Sequence, residues 1–198
     1  MVSAGLTLFA MPPLLASSWG RRLLATALML FAFSCLATGS QQGGVTAELE
    51  RSVKAAFLYK FLGYMEFPAD PGPVLVVGVL GADDVAAELA RITGGRSVGN
   101  RSISVRKLGE GDSLAGLHLL FVGADAGQPV AALRAAEKNG TVTVTEQDDG
   151  LQHGSVINFR LVEDRVRFEV SLPAAERCNV RLSSRLLSVA FHVQKGGQ

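Results

Sequence analysis

The residue types that could do chemistry are few and widely spaced. His118, His153 and His192 are isolated along the 198-residue chain. A metal site needs clustered imidazole, thiolate or carboxylate ligands, and neither H-E-x-x-H nor H-x-H spacing occurs. His118 sits inside an apolar run and reads as a hydrogen-bonded core residue; His153, in a polar loop, is the exposed candidate ligand. Cys178, flanked by Arg177 and Arg181, would be a nucleophile only with a base beside it. No local signature supplies one, and a small apolar filler is the favoured reading. Asp148-Asp149-Gly150 could hold a cation, but Asp-Gly is a turn pair and the turn is favoured. Ser183-Ser184 lacks the lysine of an S-x-x-K motif, since Arg185 keeps its proton, and reads as a helix cap.

Gly78 and Gly81, followed by Asp83, close a strand and open a helix. A phosphate-binding turn would sit there, because helix N-terminal amides attract anions. The full G-x-G-x-x-G spacing is missing and Asp83-Asp84 would repel a phosphate, so the glycines are expected to serve a tight strand–helix turn. No P-loop pattern occurs. The expectation is a chain with no catalytic residue, no metal and no cofactor.

Composition narrows the class. The chain is 48% hydrophobic and 19% charged, which excludes a disordered chain. Formal charge is +1, and beyond residue 39 the chain holds 17 basic against 18 acidic residues. A near-neutral body argues against nucleic acid as a partner, because phosphate neutralisation supplies most of that affinity. Two cysteines exclude a disulfide-stapled miniprotein.

The elements come from periodicity. Arg21 and Arg22 precede an uncharged apolar run over 23–33, with Ala37 and Gly39 at the −3 and −1 positions of a cleavage site. Residues 1–39 are therefore expected to be a signal peptide, and 40–198 one α/β domain outside the cytoplasm. The apolar run is short for a membrane span, which needs about 20 residues. An uncleaved anchor is the alternative, and Met11 is an alternative start. After cleavage only Cys178 remains, so no intrachain disulfide is expected. A flexible lead over 41–44 precedes an amphipathic helix at about 45–64, ended near Gly63 and by Pro68, Pro71 and Pro73. Strands buried on both faces are predicted at 74–80 and 117–122, with a half-buried one at 102–108. Helices are predicted from Asp83 or Asp84 to Thr93 and over 127–139. A strand at 141–145, a β-hairpin of 155–161 with 165–172, and a capped helix over 183–190 complete the chain. The fold class is α/β: a single domain with a mostly parallel central sheet flanked by helices and a C-terminal β-hairpin at the sheet edge.

In their order along the chain these pieces resemble the YfiR-like family of exported bacterial proteins. The resemblance opens with Val53-Lys54-Ala55-Ala56-Phe57-Leu58-Tyr59-Lys60-Phe61 and Met65-Glu66-Phe67-Pro68. It continues through Val77-Gly78-Val79-Leu80-Gly81, His118-Leu119-Leu120-Phe121-Val122-Gly123 and Gly154-Ser155-Val156-Ile157-Asn158-Phe159. It closes with Val166-Arg167-Phe168-Glu169-Val170-Ser171 and Val180-Arg181-Leu182-Ser183-Ser184-Arg185-Leu186-Leu187-Ser188-Val189-Ala190. Phe67 stands where relatives usually carry Trp, and Leu117 where many carry Cys, so family disulfides do not transfer. The resemblance implies a non-enzymatic periplasmic regulator that binds the periplasmic part of an inner-membrane diguanylate cyclase and represses cyclic di-GMP signalling, with a homodimer left open. A periplasmic ligand-binding or sensor module serving a histidine kinase or outer-membrane receptor is the alternative. Interfaces favour aromatic and aliphatic anchors, and Tyr64, Met65 and Phe67 near a helix end are the expected partner-binding residues.

Overall fold

The computed structural model describes residues 41–67 and 72–196. The segment read as a signal peptide, together with Pro68 and Pro71, lies outside the described residues. Every described strand belongs to one compact unit, Val45–Gln198.

Helix α1 spans Gln41–Gly63. It takes in the expected lead over 41–44, because glycine weakens a helix by about 1 kcal/mol without forbidding it. Then come β1 (Met65–Glu66), β2 (Val74–Leu80), α2 (Asp83–Thr93), β3 (Ser97–Val98), β4 (Arg101–Leu108) and β5 (Leu119–Val122). The second half holds α3 (Pro129–Lys138), β6 (Val142–Thr145), β7 (Ile157–Val162) and β8 (Arg165–Ser171). It ends with α4 (Leu172–Arg177), β9 (Arg181–Leu182), α5 (Ser184–Val189) and β10 (His192–Gln194). A two-stranded ladder joins β1 to β9, and the main sheet has eight strands in the order β10-β8-β7-β6-β5-β2-β4-β3. From β4 to β7 every pairing is parallel; β3 and the β7–β8 hairpin add antiparallel pairs. The hairpin stands toward one edge as expected, with the short β10 parallel to β8 beyond it.

Side-chain alternation sorts each strand onto two faces. Leu75, Val77, Val79, Leu119, Phe121 and Val144 face one core, filled by Leu58 and Phe61 of α1 and Val85 and Leu89 of α2. Leu80, Leu120 and Val122 face the other, filled by Leu133 and Ala136 of α3. Burying a side chain such as Phe61 contributes about 1.5–3 kcal/mol. Five rings knit α1 to the hairpin. Phe61 lies 5.9 Å from Phe159 and 5.0 Å from Phe168, Phe57 lies 5.4 Å from Phe168, and Phe121 lies 6.0 Å from Phe159.

The chain leaves β2 for β4 on one side and returns to β5 on the other. The strand order therefore reverses between β2 and β5, and the two turns leaving those strands run into each other. The Gly123 N–H donates to Leu80 O at 2.8 Å and the Asp125 N–H to Gly81 O at 3.2 Å. Gly81 has φ +66°, and a Cβ there would stand 2.3 Å from Ala126 N; a Cβ on Gly123 would stand 2.3 Å from Gly81 O. The tight-turn reading of this stretch therefore holds. Neither Asp83 nor Asp84 caps α2; the cap position is Ala82, and Asp84 Oδ1 accepts from the Val85 N–H at 2.8 Å.

Gly123→Ala should lower the unfolding free energy by about 3 kcal/mol, because the added methyl meets backbone rather than a movable side chain. Gly94→Ala, whose Cβ would find its nearest neighbour at 3.5 Å, should change it by less than about 1 kcal/mol. Urea denaturation measures both, and equal small losses would contradict the close approach.

Candidate functional site

In open parallel sheets the carboxyl ends of the strands, at the point where strand order reverses, form a crevice. Here that crevice is roofed by residues 47–54 of α1, which runs antiparallel to the sheet strands: Lys54 reaches the carboxyl ends and Phe67, beyond the helix, meets His118 at the amino end of β5. Two cavities share Glu50, Lys54, Ala124 and Glu146 as walls. One, about 340 Å³, extends to Phe159, Arg160, Leu161 and Val166 on the hairpin. The other, about 210 Å³, extends to Arg51, Gly81, Asp84 and Asp125 at the reversal.

The wall between them is an ion network. Lys54 Nζ donates to Glu146 Oε2 and lies 2.5 Å from Glu50 Oε1. The Lys54 and Glu146 side chains are only 14% and 13% exposed. Glu146 Oε1 accepts from the Ala124 N–H at 2.8 Å, and Gln147 Nε2 donates to Gly123 O at 3.0 Å. Burial by itself would lower the lysine pKa, but hydrogen bonds and charge from Glu146 and Glu50 outweigh it and hold Lys54 above the ordinary lysine range. Outside the network Arg51 lies 3.8 Å from Asp84 and Lys107 lies 2.7 Å from Asp83. Asp83 and Asp84 thus place negative charge at the α2 N-terminus, where a phosphate would otherwise sit. Sequence reading missed Lys54 and Glu146 as partners. They stand 92 residues apart, and only the topology joins them.

The expected partner-binding residues lie at the other end of α1. Tyr64 and Phe67 are half-buried against the core, and the Phe67 ring meets His118 edge-on at 5.8 Å. Met65, expected on a partner surface, is instead only 7% exposed. It pairs with Leu182 in the β1–β9 ladder, and strand alternation turns it inward while Glu66 faces out. The Ser183 N–H donates to Tyr64 O at 2.9 Å, fixing this segment to the α5 cap, where Ser183 Oγ accepts from the Leu186 N–H as expected.

The remaining candidates are scattered. His118 Nδ1 accepts from the Val76 N–H at 3.0 Å, a strand-to-strand contact. His153 is exposed in a turn, and no group of three or more metal-ligating side chains occurs among the described residues. Cys178 is buried, its thiol 3.5 Å from Thr141 O. Burial, reinforced by Glu137, pushes its pKa up and disfavours the thiolate a nucleophile needs. Asp148-Asp149-Gly150 is a turn. A Cβ on Gly150 would stand 2.3 Å from Thr145 Oγ1, so the chain folds tightly over the buried Thr145–Asn158 pair. No helix among the described residues is long and apolar enough to cross a membrane.

A family model described as YfiR/HmsC-like matches residues 51–191. No curated protein matches the chain. Among solved structures, the crystal structure of a conserved domain protein from Vibrio cholerae O1 biovar eltor str. N16961 matches with a TM-score of 0.50 at 9% identity. The match covers 73% of this chain and 60% of that one, so this chain spans about three-fifths of that structure's length. At that identity the likeness is one of fold.

Removing one member of a shielded ion pair strands the other. Lys54→Met should therefore cost about 2 kcal/mol at neutral pH, less than a fully buried pair because both heads keep some water. The pH dependence follows from a folded-state pKa raised above the unfolded value of about 10.4. The contribution is whole below that value and lost as pH rises through the folded pKa. Stability should thus fall on alkaline titration more steeply in the wild type than in Lys54→Met. Parallel alkaline limbs would show that the network does not link α1 to β6.

Proposed function

Because the chain belongs to the YfiR/HmsC-like family, we propose that it is a periplasmic regulator that binds the periplasmic part of an inner-membrane diguanylate cyclase and holds down cyclic di-GMP synthesis. The family match over residues 51–191 is the observation that carries the reading. A regulator of this kind works by differential affinity: binding the inactive receptor state more tightly than the active one shifts that equilibrium. No reacting group is required. The buried Cys178 thiol and the internally paired Lys54 and Glu146 suit such a role. The export signal expected in residues 1–39 would deliver the chain to that compartment. Tyr64 and Phe67, half-buried at the core's edge, would supply the aromatic surface for the partner, while Met65 lies in the core.

The crevice at the strand carboxyl ends favours a second reading, a ligand-sensing module serving a histidine kinase or an outer-membrane receptor. The two readings separate in the cell.

Deleting the gene in the source bacterium should raise cyclic di-GMP, and complementation should restore it. An unchanged level, with the protein shown to be made, would reject the cyclase and leave the second reading. A Tyr64→Ser/Phe67→Ser variant that keeps its near-ultraviolet dichroism should bind the partner at least about 30-fold more weakly, the effect of losing interface anchors worth 2 kcal/mol or more. Full repression by a folded double variant would remove these residues from the interface.

A further inference from the structure

The hairpin β7–β8 carries opposite chemistries on its two faces. On one face Arg160 stands directly across from Arg167, with Arg165 the next residue along that face. All three are exposed. Among the described residues only Arg160 of the three has a partner: its Nη1 donates to Asp148 O at 2.7 Å and lies 3.9 Å from Glu169 Oε1. That carboxylate is already engaged by Asn158 Nδ2 at 3.0 Å. Among the described residues Arg165 and Arg167 make no ion pair. Like charges directly opposed in a sheet repel, so this arrangement opposes folding.

The other face of the same corner is apolar. Leu161 is 57% exposed and stands across from Val166, and Phe191, 59% exposed, follows along the edge with its N–H on Phe168 O. β10 pairs only with Glu169–Ser171 of β8. The stretch 165–167 therefore has no strand on its outer side among the described residues.

We infer that this corner docks an extended acidic segment of a partner protein along the open edge of β8. Arg165 and Arg167 alternate on one face about 7 Å apart, the two-residue repeat of a strand. A partner strand carrying carboxylates two residues apart would set both over the guanidiniums, which take carboxylates bidentately. The residue between them would point to the opposite face, onto Leu161, Val166 and Phe191. The recognition pattern is acidic–apolar–acidic, a mode of strand addition in which pairing holds the segment and alternate side chains select it. A lipid surface is flat and reaches one face, whereas both faces and the edge are chemically distinct here. A second copy meeting the same patch would oppose arginine to arginine.

The inference rests on the chain being a partner-binding protein but not on the partner being a cyclase. The photo-crosslinking residue p-benzoylphenylalanine, placed in the full chain at Leu161 or Val162 in living cells, probes the two faces without removing an arginine. Both positions should give adducts with one acidic segment of the same protein, identified by peptide mass spectrometry. Adding Arg165→Glu and Arg167→Glu should cut the adduct at least tenfold while the melting temperature holds. Adducts only with lipid or a second copy, equal yields with the probe at Arg134 on α3, or no adduct at either hairpin position would each overturn it. An adduct with an acidic segment of a protein other than a cyclase would sustain this inference and reject the cyclase reading.

Discussion

Two strand-to-helix turns must pass within backbone contact where the sheet reverses its order, and the rest of the domain is arranged around that crossing. It requires glycine at 81 and 123, since a side chain on either would meet backbone at 2.3 Å. Its consequence is positional. With Gly123 locked against Leu80 O, the next amide, Ala124 N–H, is aimed at Glu146 at the end of β6. Glu146 in turn holds Lys54. The register of α1 over the sheet is thus tied, through two side chains, to a backbone contact that no other residue type allows.

The other tie on α1 is apolar. Phe57 and Phe61 pack against Phe159 and Phe168, so the helix and the hairpin form one aromatic body. The opposite face of β6 and β7 is polar, and the reason is what covers it. The connection from β6 to β7 contains no helix; residues 146–154 fold over the sheet as turns. A loop brings backbone groups that need partners. Thr143, Thr145, Ser155 and Asn158, all buried, provide them to the loop and to one another, as in Asn158 Nδ2 on Gln147 O at 2.9 Å. Every buried side-chain polar atom among the described residues has a hydrogen-bond partner.

Legibility in the sequence divides along the same line, between local pattern and long-range contact. β2, α2 and the hairpin were legible nearly to the residue, because each is a local pattern: an apolar run between Pro73 and Gly81, a run closed by Gly94-Gly95, and two alternating stretches around a turn. The Ser183 cap was legible for the same reason. Helix α4 was missed by extending β8 to Leu172, although Ser171 with Pro173 in the first turn is a helix start, and Ser171 Oγ does accept from the Ala174 N–H. The two- and three-residue strands β1, β3, β9 and β10 have no period to detect; they exist because a neighbouring edge was open. Burial of Met65 depends on β9, more than a hundred residues away, and so could not be read from an exposed-looking Tyr-Met-Glu-Phe run. The Lys54–Glu146 bridge has the same origin.

Which surface meets a partner is a question of which charges are already satisfied. In the crevice Lys54, Glu146 and Gln147 are bonded to one another or to backbone. A ligand in either flanking cavity would meet groups that already have partners, and one that parted the shielded pair would meet a cost of up to about 3–5 kcal/mol. The hairpin corner imposes no such cost. Arg165 and Arg167 are exposed and make no ion pair among the described residues, and the repulsion between Arg160 and Arg167 is relieved, not created, when an anion arrives. Electrostatic attraction across such a surface acts mainly on encounter and on the choice of partner. The exposed Leu161 and Phe191 then supply apolar area that only a correctly placed segment covers. The charges that hold α1 in place are therefore committed to the fold, whereas Arg165 and Arg167, on the hairpin that the same helix buttresses through Phe57 and Phe61, make no ion pair among the described residues.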